Sequence, residues 1–160
     1  QISGQPGFPE RLDTLQKIIL GRLLAIDYGT KRTGIAVTDP LRIVPGGLKT
    51  VATHELMSFL DDYFKKEAVD VIVVGYPTNM NGEESASMKQ IRPFVNRLTK
   101  QYPDKKIVMF DERFTSVIAQ KAILDSGIGR MARRNKALVD EVSATIILES
   151  FMDSKQYKEI

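Results

Sequence analysis

A chain of 160 residues with 42% hydrophobic content can fill one core, and that favours a single domain. It has no cysteine and a single histidine, His54, which excludes disulfide scaffolds, zinc–thiolate sites and multi-histidine metal centres, so any metal must sit on oxygen. The net charge of +3 is compatible with a polyanionic partner without demanding one.

No apolar run reaches the roughly 18 residues of a membrane span and no signal-peptide layout is visible, so a cytoplasmic protein without membrane contact is expected. Residues 1–20 stand apart: Gly4, Pro6, Gly7 and Pro9 form a loose lead, read as an extension without a chemical role. Residues 23–37, LLAIDYGTKRTGIAV, read as a hairpin. Leu23 to Ile26 suit a strand buried on both faces, Asp27 ends that strand, and Gly29, Lys31 and Arg32 occupy the turn and its exit. Gly34, in the returning strand, permits a bulge or a close backbone approach.

A third strand over 43–51 contains Pro45, Gly46 and Gly47, which points to an edge position. Thr53 reads as the N-cap of a surface helix over 54–67, whose buried stripe is Leu56, Phe59, Leu60, Tyr63 and Phe64. Residues 71–74 form a β-branched parallel strand, and Ser85 caps a helix to about 101 in which Pro93 requires a kink or a late start. Residues 106–110 make the fifth strand, ending at Asp111, Glu112 and Arg113. Residues 115–126 look helical, 127–135 form a basic glycine-containing connection, and 136–152 is the strongest helix. The order of elements gives an α/β domain with a mixed sheet, an antiparallel meander joined to a parallel half.

Acids fall where such a sheet gathers its strand ends: Asp27, the pair Asp111 and Glu112, and Asp140. Asp140 shares a helix face with Ala137, Ala144, Ile147 and Phe151, so its carboxylate is expected to face the sheet. Three inward carboxylates are the ligand type for Mg²⁺ or Mn²⁺. Adjacent residues on an extended segment point to opposite faces, so either Asp111 or Glu112 is the third ligand. Lys31, Arg32, Arg113, Arg130, Arg133, Arg134 and Lys136 lie at the same rim or lead to the last helix, and suit phosphate binding. Blander roles exist for each: Asp140 also suits a helix N-terminus, Asp111-Glu112-Arg113 a solvated loop, and His54 a surface position.

Four stretches carry a resemblance: Asp27-Tyr28-Gly29-Thr30-Lys31-Arg32-Thr33-Gly34-Ile35-Ala36, Val74-Gly75-Tyr76-Pro77 with Asn81-Gly82, Asp111-Glu112-Arg113-Phe114-Thr115-Ser116, and Asp140-Glu141-Val142-Ser143-Ala144. From about residue 21 to 152 the chain resembles the YqgF family, also called RuvX, of pre-16S rRNA nucleases, which is similar to the RuvC-type Holliday junction resolvases. The resemblance implies an RNase H-like fold with a five-stranded mixed sheet over 21–153 and a tail over 154–160. It also implies metal-dependent endonucleolytic maturation of the 5′ end of 16S rRNA, with Asp27, Glu112 and Asp140 as ligands of two Mg²⁺ (or Mn²⁺) ions and Asp27 between them. The implied partners are structured RNA, branched DNA and ribosome-assembly particles, with a monomer or homodimer as the active species. Two other readings stand beside it. A catalytically silent ribosome-associated binding module uses the same cations, and the hairpin is also similar to the phosphate loop of actin-like kinases, although this chain has room for only one such lobe.

Overall fold

The computed structural model describes residues 21–78, 81, 85–115 and 136–160. The proposed extension over residues 1–20, most of the helix expected over 115–126 and the basic connection over 127–135 lie outside the described residues. Five strands form one sheet: β1 (Arg22–Asp27), β2 (Arg32–Thr38), β3 (Pro45–Ala52), β4 (Val69–Tyr76) and β5 (Lys106–Asp111), in the order β3-β2-β1-β4-β5. β1 pairs antiparallel with β2 and parallel with β4, while β4 pairs parallel with β5, as the meander and parallel half require. β3 is an edge strand with a register shift opposite Ile35 and Ala36. It begins at Pro45 rather than 43, because Ile43 and Val44 lie in a loop whose amides Asp39 caps.

Strand alternation divides the sheet into two apolar faces. Leu24, Ile26, Ile72 and Val74 pack under helices α1 (Leu56–Lys66) and α2 (Met88–Gln101). Leu23, Ala25, Val71, Val73, Val108 and Phe110 pack under α3 (Lys136–Met152), with its Ala144, Ile147, Leu148 and Phe151. A short α4 (Lys155–Lys158) returns Tyr157 onto the Phe151 ring. Among the described residues no helix is long and apolar enough to cross a membrane.

Two expected caps differ. Thr53 lies in a 3-10 turn before α1, and its hydroxyl donates to the Gly29 carbonyl at 2.6 Å rather than to the helix. The amide of Thr53 donates to the Lys31 carbonyl, so this residue pins the β1–β2 turn to the end of β3. The Ser85 hydroxyl donates to Pro77, and α2 starts late, at Met88, leaving Pro93 near its beginning.

Close packing of α3 on the sheet depends on missing side chains. A Cβ at Gly34 would collide with the Asp140 backbone, and one at Gly75 would meet the Ile147 side chain. The first obstacle is main chain and cannot rotate away, so Gly34→Ala should lower stability by about 1–3 kcal/mol in urea unfolding. Gly75→Ala should cost less, because the obstacle is the Ile147 side chain, which can shift where main chain cannot.

Candidate active site at the sheet rim

The residue alternation that builds the core also delivers the acids. Leu23 and Ala25 face α3, and Asp27 continues their side of β1. Its register partner on β2 is Gly34, the residue against which the Asp140 turn of α3 is seated. The α3 acid is thereby brought beside the β1 acid. On β5, Val108 and Phe110 face α3 while Met109 packs on the other side. The strand ends at Asp111, and Glu112 opens a 3-10 turn.

Asp111 and Glu112 consequently part company. The Asp111 side chain is 8% exposed and lines a cavity of about 270 Å³ on the α2 side with Tyr76, Thr78, Met88 and Met109. Its Oδ2 accepts two bonds from Arg113, Nε at 2.9 Å and Nη2 at 2.7 Å, and its Oδ1 accepts from the Arg113 amide and the Thr78 hydroxyl. Burial pushes the Asp111 carboxyl up, but these bonds outweigh it and hold it below the usual range.

Glu112 and Asp27 show the opposite behaviour. Burial, followed by the negative charge of Asp140, raises Asp27 from 3.8 to about 6. Burial, followed by the charges of Asp27 and Asp111, raises Glu112 from 4.5 to about 7. Asp140 is held by Arg32, whose Nε donates to Oδ2 at 2.7 Å. Acids from β1, the β5 exit and α3 therefore stand in a row at the carboxyl ends of the parallel strands, Asp140 acting on Asp27 and Asp27 on Glu112. The donor set is all oxygen, and its uncompensated charge fits a hard divalent cation. Among the described residues no three acidic or histidine side chains are already gathered tightly enough to ligate one ion.

Of the cations, Lys31 and Arg32 are exposed at the hairpin turn and Arg113 is anchored by Asp111. Lys136 opens α3, but its side chain, like Arg130, Arg133 and Arg134, lies outside the described residues. His54 is exposed beside Glu55, away from these acids in its contacts. Thr53 and Thr78 join the site only through the structure; their signal in the sequence is no more than that each follows a strand end next to a motif.

An α/β domain with this strand order and with acids from separate elements on one rim has the RNase H-like architecture. The family model RuvX, described as Holliday junction resolvase, matches residues 21–154, and the chain belongs to that family. A relative from Porphyromonas gingivalis, named "Putative pre-16S rRNA nuclease", is 60% identical over 135 residues, 84% of this chain and 98% of its own length. Proteins of the same name from Phocaeicola vulgatus and Bacteroides fragilis are 56% and 52% identical over 138 and 137 residues, 86% of this chain and 99% of theirs.

The raised acids bear on stability. Because Asp27 and Glu112 hold protons more tightly folded than unfolded, their ionisation weakens the fold. The penalty is absent below their unfolded values, near pH 4, and complete above their folded ones, near pH 7. Without added metal, Asp27→Asn and Glu112→Gln should each raise the melting temperature relative to wild type more at pH 8 than at pH 4.5. Equal differences at the two pH values would show that neither acid is destabilised by its surroundings.

Proposed function

We propose that the protein is a divalent-cation-dependent endonuclease that hydrolyses phosphodiester bonds of structured RNA, in maturation of the 5′ end of 16S rRNA within assembling ribosomal particles. The observation that carries this reading is the gathering of acids far apart in sequence at one rim, where the charge of Asp140 acts on Asp27 and that of Asp27 on Glu112, in a chain whose relatives bear a nuclease name. In the proposal the carboxylates of Asp27, Glu112 and Asp140 would hold the divalent cation, Mg²⁺ or Mn²⁺. When bound, the cation supplies Lewis-acid polarisation of the phosphate and a lowered pKa for the attacking water.

The protein's own cations do the positioning. Asp111 occupies the Nε and Nη2 edge of Arg113, fixing the guanidinium and leaving its Nη1 edge for a non-bridging phosphate oxygen. Lys31 on the turn is an exposed second contact, and the turn itself is held by Thr53. The sequence adds Arg130, Arg133, Arg134 and Lys136 ahead of and at the start of α3, a concentration of positive charge that suits salt-sensitive backbone binding. Branched DNA is the second reading, favoured by the description of the family model, because phosphate contacts alone do not separate it from RNA.

Cleavage of a precursor 16S rRNA fragment and of a four-way DNA junction, with and without Mg²⁺, tests the proposal. Asp27→Asn, Glu112→Gln and Asp140→Asn should each lower kcat by at least about 100-fold. Asp111→Asn, which loosens Arg113 without removing a proposed ligand, should lose only about tenfold. Wild-type rate in Asp140→Asn would take that residue out of the site. Cleavage of the junction alone would move the substrate to DNA.

A further inference from the structure

Two Arg–Asp pairs stand at the rim, and they are built differently. Arg113 grips Asp111 with two nitrogens, and that carboxylate is 8% exposed and also holds Thr78. Arg32 reaches Asp140 with Nε, and the two side chains are 45% and 20% exposed. The two arginines are about equally exposed, 42% for Arg113 and 45% for Arg32, so the difference lies in the carboxylates: Asp111 is buried and held by several bonds, while Asp140 is more open and held by Nε of Arg32, a contact that contributes little and exchanges readily. Asp140 is also the acid whose charge raises Asp27, so the guanidinium sits beside the negative cluster that a divalent cation would neutralise.

We propose that Arg32 is a displaceable counter-ion of Asp140: the divalent cation takes its place on the carboxylate, and the released guanidinium moves to a phosphate of the nucleic acid. The inference rests on the proposed cation site at Asp27, Glu112 and Asp140. Arg32 thus acts through Asp140 as a positioning residue, and it couples cation binding to substrate binding by a local exchange of ionic partners.

The test reads metal binding rather than cleavage. The full chain is titrated with Mn²⁺ alone, free Mn²⁺ being followed by electron paramagnetic resonance, for wild type, Arg32→Gln, Arg32→Lys and Asp27→Asn. Arg32→Gln should bind Mn²⁺ about fivefold more tightly than wild type, because the competing cation is gone, and Arg32→Lys should return towards wild type. Unchanged or weaker binding by Arg32→Gln, with Asp27→Asn impaired, overturns the exchange and leaves the cation site standing. No Mn²⁺ binding by either wild type or Arg32→Gln overturns both. Arg32→Met replaces Arg32→Gln if the latter does not fold.

A second measurement uses fluorescence anisotropy of a labelled RNA hairpin in excess chelator. Asp140→Asn, which frees Arg32 without metal, should bind the hairpin about threefold more tightly than wild type, and the added Arg32→Gln should remove that gain. A gain that survives in the double variant overturns the transfer of Arg32 to phosphate.

Discussion

The site depends on one steric constraint: main chain of α3 packed against main chain of β2 at Gly34, across the ladder from Asp27. Any side chain at that position would lift the helix by its own thickness. The acid of α3 would then leave the acid of β1, although neither residue had changed. The same contact serves the core, since Ala144, Ile147, Leu148 and Phe151 on that helix are buried against Ala25, Val73 and Phe110. Fold and site thus share a single layer of packing, and the carboxylates sit where that layer runs out at the sheet rim.

The neighbouring acids Asp111 and Glu112 illustrate how strand geometry can give adjacent residues different work. Asp111 closes β5 on the side of Met109, where four bonds make it a structural anchor for Arg113. Glu112, one residue on in the 3-10 turn, feels Asp27. One carboxyl is stabilised as the anion and the other is resisted, by surroundings a single residue apart.

Much of this is legible in the sequence. The apolar run broken by Asp27, the glycines beyond it and the length of the last helix follow from periodicity, and the inward face of Asp140 from its spacing to Ala144, Ile147 and Phe151. Which of Asp111 and Glu112 lies within the influence of Asp27 and which pairs with Arg113 is not, because alternation says that two neighbours face apart without saying which face meets α3. That fact belongs to the strand's register and to the side on which the crossover packs. Thr53 departs from its expected role for a related reason. A threonine before a helix reads as a cap, yet the 3-10 turn ahead of α1 and the return of β3 beside the hairpin bring its hydroxyl within reach of Gly29, a partner 24 residues away.

The energetics of the rim identify it as the place where local rules give way. Holding Asp27 near 6 and Glu112 near 7 costs a few kcal/mol in order of magnitude when both are ionised, since raising a carboxyl pKa by one costs about 1.4 kcal/mol. Against the roughly 5–15 kcal/mol of net stability typical of a domain, that is a substantial load to keep at neutral pH. Replacing either acid by its amide would remove the load at almost no change in volume. Among the described residues, the counter-charge bonded to these three acids is a solvated arginine on Asp140, and it neutralises one of them. A sequence that satisfies its backbone, buries its apolar stripes and packs helix on glycine, yet leaves negative charge concentrated at one edge, is inconsistent at that edge. Such a local conflict is the physical mark of a group of residues arranged for something other than folding.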